Sequence, residues 1–261
     1  GGKTVIDAPS LAGDLDVDSV RIADEGRNPT GSAVDRELAV AVSVAAERDV
    51  EGVVLPSTGN AARSAAAYAG RAGLDSLAYV PSRTPFLEKA MANVHGADLT
   101  VVRGRFGDAE RELQEARASD QLGRPMGPFE TPFRHLGAAT IAFELAVQFG
   151  RTLPYAIAVP VGSGVTAVGL FEGLRFLETL GAIETRPRLV AVQPEGCAPV
   201  VEAASTGAPV QAAESPDTVC GELEIPNPGG GEWVLEAIEE TGGTAIAVTD
   251  DEILEAGIDV A

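Results

Sequence analysis

The sequence has very little lysine and few aromatic residues. Neither shortage is typical of a protein that binds nucleic acid. Of its 19 basic residues only Lys3 and Lys89 are lysines, and 39 acidic residues give a net charge of −20 at pH 7. A surface this acidic repels nucleic acid and anionic lipid, so neither is expected as a partner. Because molar salt screens self-repulsion to a range of about 3 Å, the composition predicts a halophilic host.

Cysteine, histidine and long apolar runs are also scarce. Cys197 and Cys220 match no metal spacing and are too few for a disulfide scaffold, and His95 and His135 are isolated. We therefore expect buried thiols, structural imidazoles and no bound metal. No apolar run approaches the roughly 20 residues that span a bilayer, and the first residues lack the order of a secretory signal. The chain is expected to be soluble and cytoplasmic.

Short β-branched runs alternate with longer, alanine-rich helical patterns along the whole chain. This rhythm predicts an α/β fold with mostly parallel sheets, because each helix returns the chain to the same edge of a sheet. Irregular segments are expected at 116–133, as a boundary or cleft-lining loop, and at 209–231. The predicted strands are 19–23, 52–56, 76–81, 98–102, 155–161, 188–193 and 244–248. The predicted helices are about 33–48, 60–72, 84–95, 106–119, 136–150, 165–180, 231–241 and 250–257.

Three junctions between elements have the composition of ligand-binding turns, and parallel sheets bind ligands where strands end and helices begin. Residues 57–60 (STGN) offer hydroxyls, exposed amides and the Asn60 side chain to a carboxylate, although a plain capped turn is the alternative. Residues 162–164 (GSG) present successive backbone N–H groups to a phosphate, but match neither the Walker A nor the dinucleotide motif. Residues 28–32 (NPTGS) begin the helix predicted at 33–48.

In this order the junctions resemble the threonine synthase branch of the fold type II (β-family, tryptophan synthase β-like) pyridoxal-phosphate enzymes, and the resemblance covers almost the whole chain. Several motifs in the right order are far more specific than any one of them. The matching stretches are DEGRNPTGS…DR at 24–36, STGN…AAAYAGRAGL at 57–74, PFRHLGAATIAFELAVQFG at 132–150, the GSG turn with its helix and following strand at 159–200, and TGGTAIAVTDDEILEA at 241–256.

The resemblance implies a two-domain fold of three-layer αβα parallel sheets with the site in the cleft between domains. Residues 1–45 and 131–261 would form the larger domain, and residues 46–130 the smaller one. The implied activity is a lyase reaction from O-phosphohomoserine to threonine, by a homodimer. The residues implied to contact pyridoxal phosphate are Asn60, Gly162, Ser163, Gly164, Val165 and Thr166. Those implied to contact the substrate are Ser32, Ser57, Thr58, Gly59 and Asn60.

The sequence departs from the family's pattern at the residue that the reaction needs most. The Schiff-base lysine of the family falls at Val34, and the aromatic residue before it falls at Ala33. In the family this lysine holds the cofactor, exchanges with the substrate amine and moves protons, and a branched hydrocarbon can do none of these. Val165 and Thr166 also replace the usual Gly-Asn, and the stretch RHLGAAT lacks the family's Glu and Gln-Lys.

Two functional hypotheses follow from this substitution. A working lyase would need a surrogate base, either Lys3 or Lys89, and a non-covalent cofactor. Loss of general-base action alone costs about 10²–10⁴-fold in rate. The alternative is a catalytically silent relative that binds a phosphorylated or amino-acid ligand, or acts as a partner subunit. On mechanism we favour the silent relative, with no covalent cofactor and no catalytic residue at position 34.

Overall fold

The computed structural model describes residues 5–48, 50–119 and 122–260. Its strands are β1 (Val5–Asp7), β2 (Arg21–Ala23), β3 (Gly52–Pro56), β4 (Asp75–Pro81), β5 (Asp98–Val102), β6 (Arg124–Pro125), β7 (Ala156–Pro160), β8 (Arg188–Pro194) and β9 (Thr244–Val248). Its α-helices are α1 (Pro9–Asp14), α2 (Val34–Ala46), α3 (Asn60–Ala72), α4 (Phe86–Val94), α5 (Phe106–Ser119), α6 (Pro132–Ala138), α7 (Thr140–Phe149), α8 (Val165–Thr179), α9 (Pro199–Thr206), α10 (Gly231–Thr241) and α11 (Asp250–Val260).

The strands form two parallel sheets and a small antiparallel ribbon. A four-stranded sheet has the order β5-β4-β3-β6, and a three-stranded sheet has the order β7-β8-β9. Every pairing within these two sheets is parallel, whereas β1 and β2 pair antiparallel. The predicted α/β class with mostly parallel sheets is therefore confirmed. No helix of the described residues is both long enough and apolar enough to cross a membrane.

The four-stranded sheet is covered on both faces, which gives it the predicted three layers. Alternate residues of β3 point to opposite sides, as the two-residue period of a strand requires. Val53 and Leu55 belong to the apolar core that they share with helices α2, α3 and α4. Val54 packs on the opposite side with Tyr79 and with residues of α5. Helix α2, which the resemblance places in the larger domain, thus contributes to the core of this sheet.

The three-stranded sheet has its own core. Val159, Leu189 and Ala191 from its strands pack with residues of α7, α8 and α10. Ala156 and Ala158 of β7, which alternate with the inward-facing residues, are exposed among the described residues. The proposed division into domains 46–130 and 1–45 plus 131–261 stays a prediction, but each sheet has a separate apolar core.

Helix α6 joins the two halves of the molecule by very close packing. A Cβ atom at Gly137 would collide with the backbone oxygen of Arg36 in α2, and one at Gly169 in α8 would collide with the backbone oxygen of His135. Only glycine permits these backbones to approach so closely. Helix α6 therefore contacts both α2 and α8, and these three helices connect the two apolar cores.

One predicted helix differs from the structure, because 136–150 is divided between α6 and α7. The two helices meet at Ala139, which keeps right-handed helical torsions, and the hydroxyl of Thr140 donates to the backbone oxygen of Gly137 at 2.7 Å at this junction. Helix α6 also begins earlier than predicted, at Pro132 after the Thr131 cap, whose hydroxyl accepts from the Phe133 N–H.

Candidate functional site

The N-terminal parts of helices α2, α3 and α8, which follow the three predicted turns, meet through side-chain hydrogen bonds, and of the turn residues Thr58 lines the cavity between the two sheets. The carboxylate of Asp35 in α2 accepts from the backbone N–H and hydroxyl of Thr30, both at 2.6 Å, and from the hydroxyl of Ser64 in α3 at 2.7 Å. The carboxylate of Glu37 accepts from the hydroxyl of Thr166 in α8 at 3.0 Å. Helix α2 is thus tied to the helices that follow both the STGN and the GSG turns.

Val34 is the first residue of α2 and lies at this meeting point. Its backbone N–H donates to the hydroxyl oxygen of Ser32 at 3.2 Å, and its half-buried side chain packs against the core of the four-stranded sheet. Residues three and four apart share a helical face, so Val34 lies on the same side of α2 as Glu37 and Leu38. Position 34 therefore presents a branched hydrocarbon and no nitrogen.

In the STGN turn, the predicted capping role and the predicted binding role fall to different residues. The hydroxyl oxygen of Ser57 is buried and accepts from the N–H groups of Gly59 at 3.0 Å and Ala62 at 2.9 Å. Gly59 has a φ of +146°, and a Cβ atom there would lie 3.0 Å from the Cβ of Glu88. Thr58 lines the cleft cavity that lies beside the turn.

Asn60 contacts Glu222, a residue of the irregular segment 209–231 that carries no local sequence signature of a ligand site. Its side-chain N–H donates to the carboxylate of Glu222 at 2.7 Å. Its side-chain oxygen accepts from Arg63 at 3.2 Å, and Arg63 in turn donates to Glu88 at 3.1 Å. Desolvation of the carboxyl group, and secondarily the nearby charge of Glu88, raises the pKa of Glu222 above its ordinary value, against the opposing effects of Asn60 and Arg63.

The GSG turn keeps an arrangement suited to an anion. Gly164 has a left-handed φ of +93° and is followed directly by α8. Within the described chain, the backbone N–H groups of Gly162, Ser163 and Gly164 find no acceptor, while the oxygen of Ser163 accepts from Gly230 at 3.1 Å. Successive free N–H groups at the start of a helix bind phosphate. Val165 is buried beside the turn.

A cavity of about 480 Å³ lies between the two halves of the molecule. Its lining from the four-stranded side is Thr58, Pro81, Arg83, Thr84, Pro85 and Phe106. Its lining from the other side is Pro160 and residues 219–224. The size suits a small metabolite. The predicted irregular segment 209–231 therefore supplies much of one wall.

Residues 217–224, which we call the bridging turn, are held to the four-stranded half by ion pairs. The buried carboxylate of Glu224 contacts Arg105 at 2.6 Å and Arg83 at 3.1 Å. Arg105 also contacts Asp217 at 3.1 Å, and these hydrogen bonds raise the pKa of Arg105. The pairs join residues 119 and 112 positions apart. No local pattern in the sequence indicates contacts at such separations.

No lysine of the described residues lines the cavity. Lys89 lies on α4 and its amine donates to the backbone oxygen of Ser82 at 3.0 Å on the exposed surface. Lys3 falls outside the described residues.

His135 stacks on Phe129 with ring centroids 5.9 Å apart, and burial lowers the pKa of its imidazole.

The pyridoxal phosphate implied by the resemblance fits these residues only in part. The N–H groups of residues 162–164 suit its phosphate. Val34 offers no amine for its aldehyde, the Asn60 amide is occupied by Glu222, and the Thr166 hydroxyl is occupied by Glu37. The residues present therefore fit a phosphate group, offer no amine for the aldehyde of that cofactor, and have two of the polar side chains expected to contact it already paired.

Comparisons with known proteins agree with this architecture. A family model described as pyridoxal-phosphate dependent enzyme matches residues 1–261. Threonine synthase from Methanosarcina acetivorans is 35% identical over 263 residues, which cover 100% of this chain and 64% of that protein. Threonine synthase from Methanocaldococcus jannaschii is 35% identical over 98% of this chain and 63% of its own length. The chain thus spans less than two thirds of the length of these two relatives.

Solved structures show the same fold at lower identity. A pyridoxal 5'-phosphate-dependent aspartate racemase superposes with a TM-score of 0.80 and 22% identity, over 97% of this chain and 75% of that one. A fungal L-serine ammonia-lyase from Rhizomucor miehei superposes with a TM-score of 0.80 and 21% identity, over 95% of this chain and 76% of that one. The two-sheet architecture with a cleft is therefore shared with enzymes of different named activities.

Proposed function

The chain belongs to the pyridoxal-phosphate dependent enzyme family, and from this membership we propose that it is a threonine synthase-like protein that does not catalyse the lyase reaction. Its cleft instead binds a small phosphorylated or amino-acid ligand without forming a covalent bond. Membership of the family implies a pyridoxal-phosphate site. The absence of covalent attachment at that site is part of the proposal.

The observation that carries the proposal is the position of Val34. It begins α2, and its neighbours Asp35 and Glu37 bond to Ser64 in α3 and to Thr166 in α8, the helices that follow the STGN and GSG turns. In the part of the chain that the structure describes, no lysine lines the cavity, and the amine of Lys89 donates to the backbone oxygen of Ser82. Without an amine there, the cleft lacks both the covalent attachment point and the proton carrier of the family reaction.

The remaining residues support binding rather than turnover. The N–H groups of residues 162–164 attract a phosphate at the start of α8, where the helix dipole adds to their effect. Thr58 offers a hydroxyl beside the cavity. Ser32, Ser57 and Gly59 shape the turns: Ser32 and Ser57 accept backbone N–H bonds, and Gly59 packs against Glu88.

The test is covalent capture of pyridoxal phosphate. The wild-type chain is mixed with pyridoxal phosphate and reduced with borohydride, and modified lysines are mapped by mass spectrometry. We expect no adduct at Lys89 or Lys3 above the level seen with a denatured sample. The matched variant Val34→Lys places an amine at position 34, and we expect it to give a borohydride-dependent adduct there.

The second candidate function is an active lyase, which the 35% identity to threonine synthases favours. It requires another amine, and Lys3 is the remaining lysine. A specific adduct at Lys3 in the native wild-type chain, together with release of inorganic phosphate from O-phosphohomoserine, would establish this candidate and refute the proposed silent function.

A further inference from the structure

We infer that Glu222 is a specificity-determining residue, which occupies the space between the STGN and GSG turns and so disfavours a ring-bearing cofactor while leaving the phosphate cradle accessible. The inference rests on the proposed function. Glu222 would select the ligand, and its removal should change the affinity for pyridoxal phosphate.

One residue spans the whole distance between the two turns. The carboxylate of Glu222 accepts from the amide of Asn60 at 2.7 Å. Its backbone oxygen lies 3.4 Å from the position of a Cβ atom built on Gly162, and the next residue, Leu223, follows at 3.6 Å. A ligand that contacts the Asn60 amide must therefore displace the Glu222 side chain, and on the Gly162 side it meets the backbone oxygen of Glu222 and the side chain of Ile225, which lies 3.2 Å from the same Cβ position.

The bridging turn holds Glu222 in place from both ends. On one side Asp250, at the start of α11, accepts from the hydroxyl of Thr218 at 2.6 Å and from the N–H of Val219 at 3.0 Å. On the other side the buried carboxylate of Glu224 is paired with Arg105 and Arg83. Glu222 is thus fixed between two anchored residues, although the residue as a whole is exposed.

The Asn60 amide is held as firmly as its partner. Arg63 donates to the oxygen of the same amide, which fixes the amide so that its N–H groups face Glu222. Arg63 is itself paired with the carboxylate of Glu88 at 3.1 Å, and both side chains are largely buried. Releasing Asn60 for a ligand would break a charge-assisted hydrogen bond, which is stronger than one between neutral groups.

The cradle at residues 162–164 does not depend on this contact. Its N–H groups have no acceptor among the described residues, and the carboxylate of Glu222 bonds to Asn60 instead. A phosphate could bind there with Glu222 in place. The chain therefore keeps the groups that would bind the phosphate of pyridoxal phosphate, while Glu222 occupies the place beside Asn60 where the ring of the cofactor would bind.

The experiment measures binding of pyridoxal phosphate and of inorganic phosphate by equilibrium dialysis to the wild type, Glu222→Ala and Glu222→Gln. Position 34 stays valine in all three, so no lysine chemistry at that site contributes. We expect Glu222→Ala to bind pyridoxal phosphate at least about tenfold more tightly than the wild type, since no side chain then fills the space beside Asn60 or competes for its amide. Glutamine keeps the size and can still accept from Asn60, so Glu222→Gln should stay within about threefold of the wild type. Inorganic phosphate should bind all three equally.

Two results would overturn the inference. If Glu222→Ala binds pyridoxal phosphate no better than the wild type, Glu222 does not lower the affinity of the site for that cofactor. If Glu222→Gln gains as much affinity as Glu222→Ala, the negative charge rather than the occupied space is responsible. The proposed silent function fails by a different result, a lysine adduct in the wild-type chain. Matched melting temperatures of the three proteins would show that each is folded.

Discussion

At the scale of single residues, the two cysteines differ in ways that a labelling experiment can measure. Cys197 is buried, and desolvation together with the charge of Glu224 raises the pKa of its thiol to about 11. Cys220 is half-exposed on the wall of the cavity, and partial burial with the charges of Asp250 and Glu222 raises its pKa as well. Only the thiolate reacts with alkylating reagents, so both react slowly and Cys197 reacts more slowly.

We predict that iodoacetamide at about pH 8 modifies Cys220 at least tenfold faster than Cys197 in the native protein. Because the pKa of each thiol lies above pH 8, the thiolate fraction of each cysteine, and hence its rate, should rise as the pH rises. Peptide mass spectrometry of timed samples gives the two rates. In concentrated urea the rates should become equal, which is the control. Equal rates in the native protein would contradict the buried position of Cys197.

The candidate site was predictable at the residue scale only where its residues are close in sequence. The turns at 28–32, 57–60 and 162–164 each carry a local signature, and Asp35 and Glu37 tie them together as helix neighbours of Val34. Glu222 has no such signature, since it meets Asn60 across 162 residues in an irregular segment. The side-chain roles within the STGN turn were equally hidden, because a serine can cap a helix or bind a ligand with the same hydroxyl.

At the scale of elements, a buried ion pair joins the three helices that link the cores. Arg134 in α6 donates to the carboxylate of Glu37 in α2 at 2.6 and 3.0 Å, and to the backbone oxygen of Met126 at 2.9 Å. The same carboxylate accepts from Thr166 in α8. Both charged side chains are almost fully buried, at 4% and 2% exposure. Removing one partner would leave an uncompensated buried charge.

We predict that Arg134→Met lowers the free energy of unfolding by about 3–5 kcal/mol, measured by urea denaturation. The matched control is Arg175→Met, because Arg175 forms an exposed pair with Glu172 that is worth about 0–1 kcal/mol. Adding Glu37→Leu to Arg134→Met should recover part of the loss, since the buried charge is then gone. A change below about 1 kcal/mol for Arg134→Met would show that the pair has no structural role.

Elements with a strong local pattern were predicted closely, and short elements were not. The bounds of β3, β5, β9, α3, α5 and α10 agree with the predicted ones to the residue. These combine a continuous apolar or periodic run with clear turn residues. The two-residue strand β6 exists only by pairing with β3, and helix α9 has eight residues, too few for a strong periodic signal. Pro199 at its start and the left-handed Gly207 at its end were the available signals.

At the scale of the whole molecule, two electrostatic effects oppose each other when salt is added. The ion pairs of Arg83 and Arg105 across the cleft weaken only a little, because their shared partner Glu224 is buried and salt screens such pairs less than exposed ones. The mutual repulsion of a chain with a net charge of −20 also weakens, and it involves the entire surface. Relief of repulsion should therefore dominate.

We predict that the melting temperature rises between dilute buffer and molar KCl. Each kcal/mol of relieved repulsion corresponds to about 2–4 °C in a domain of this size. Calorimetry at several KCl concentrations gives the dependence, with an uncharged osmolyte at equal osmolality as the control. A melting temperature that stays constant or falls with KCl would refute the halophilic hypothesis.

The order of the sheets along the chain has a consequence for biosynthesis. The four-stranded sheet lies entirely within residues 52–125, whereas Asn60 meets Glu222 only when the polypeptide has grown by 162 residues. At ribosomal speeds of about 5–20 residues per second, synthesis of the roughly 100 residues from the end of this sheet to Glu222 takes about 5–20 s. The nascent chain can therefore complete its first sheet long before the bridging turn emerges to meet Asn60, and closure of the cleft is a late event in its assembly.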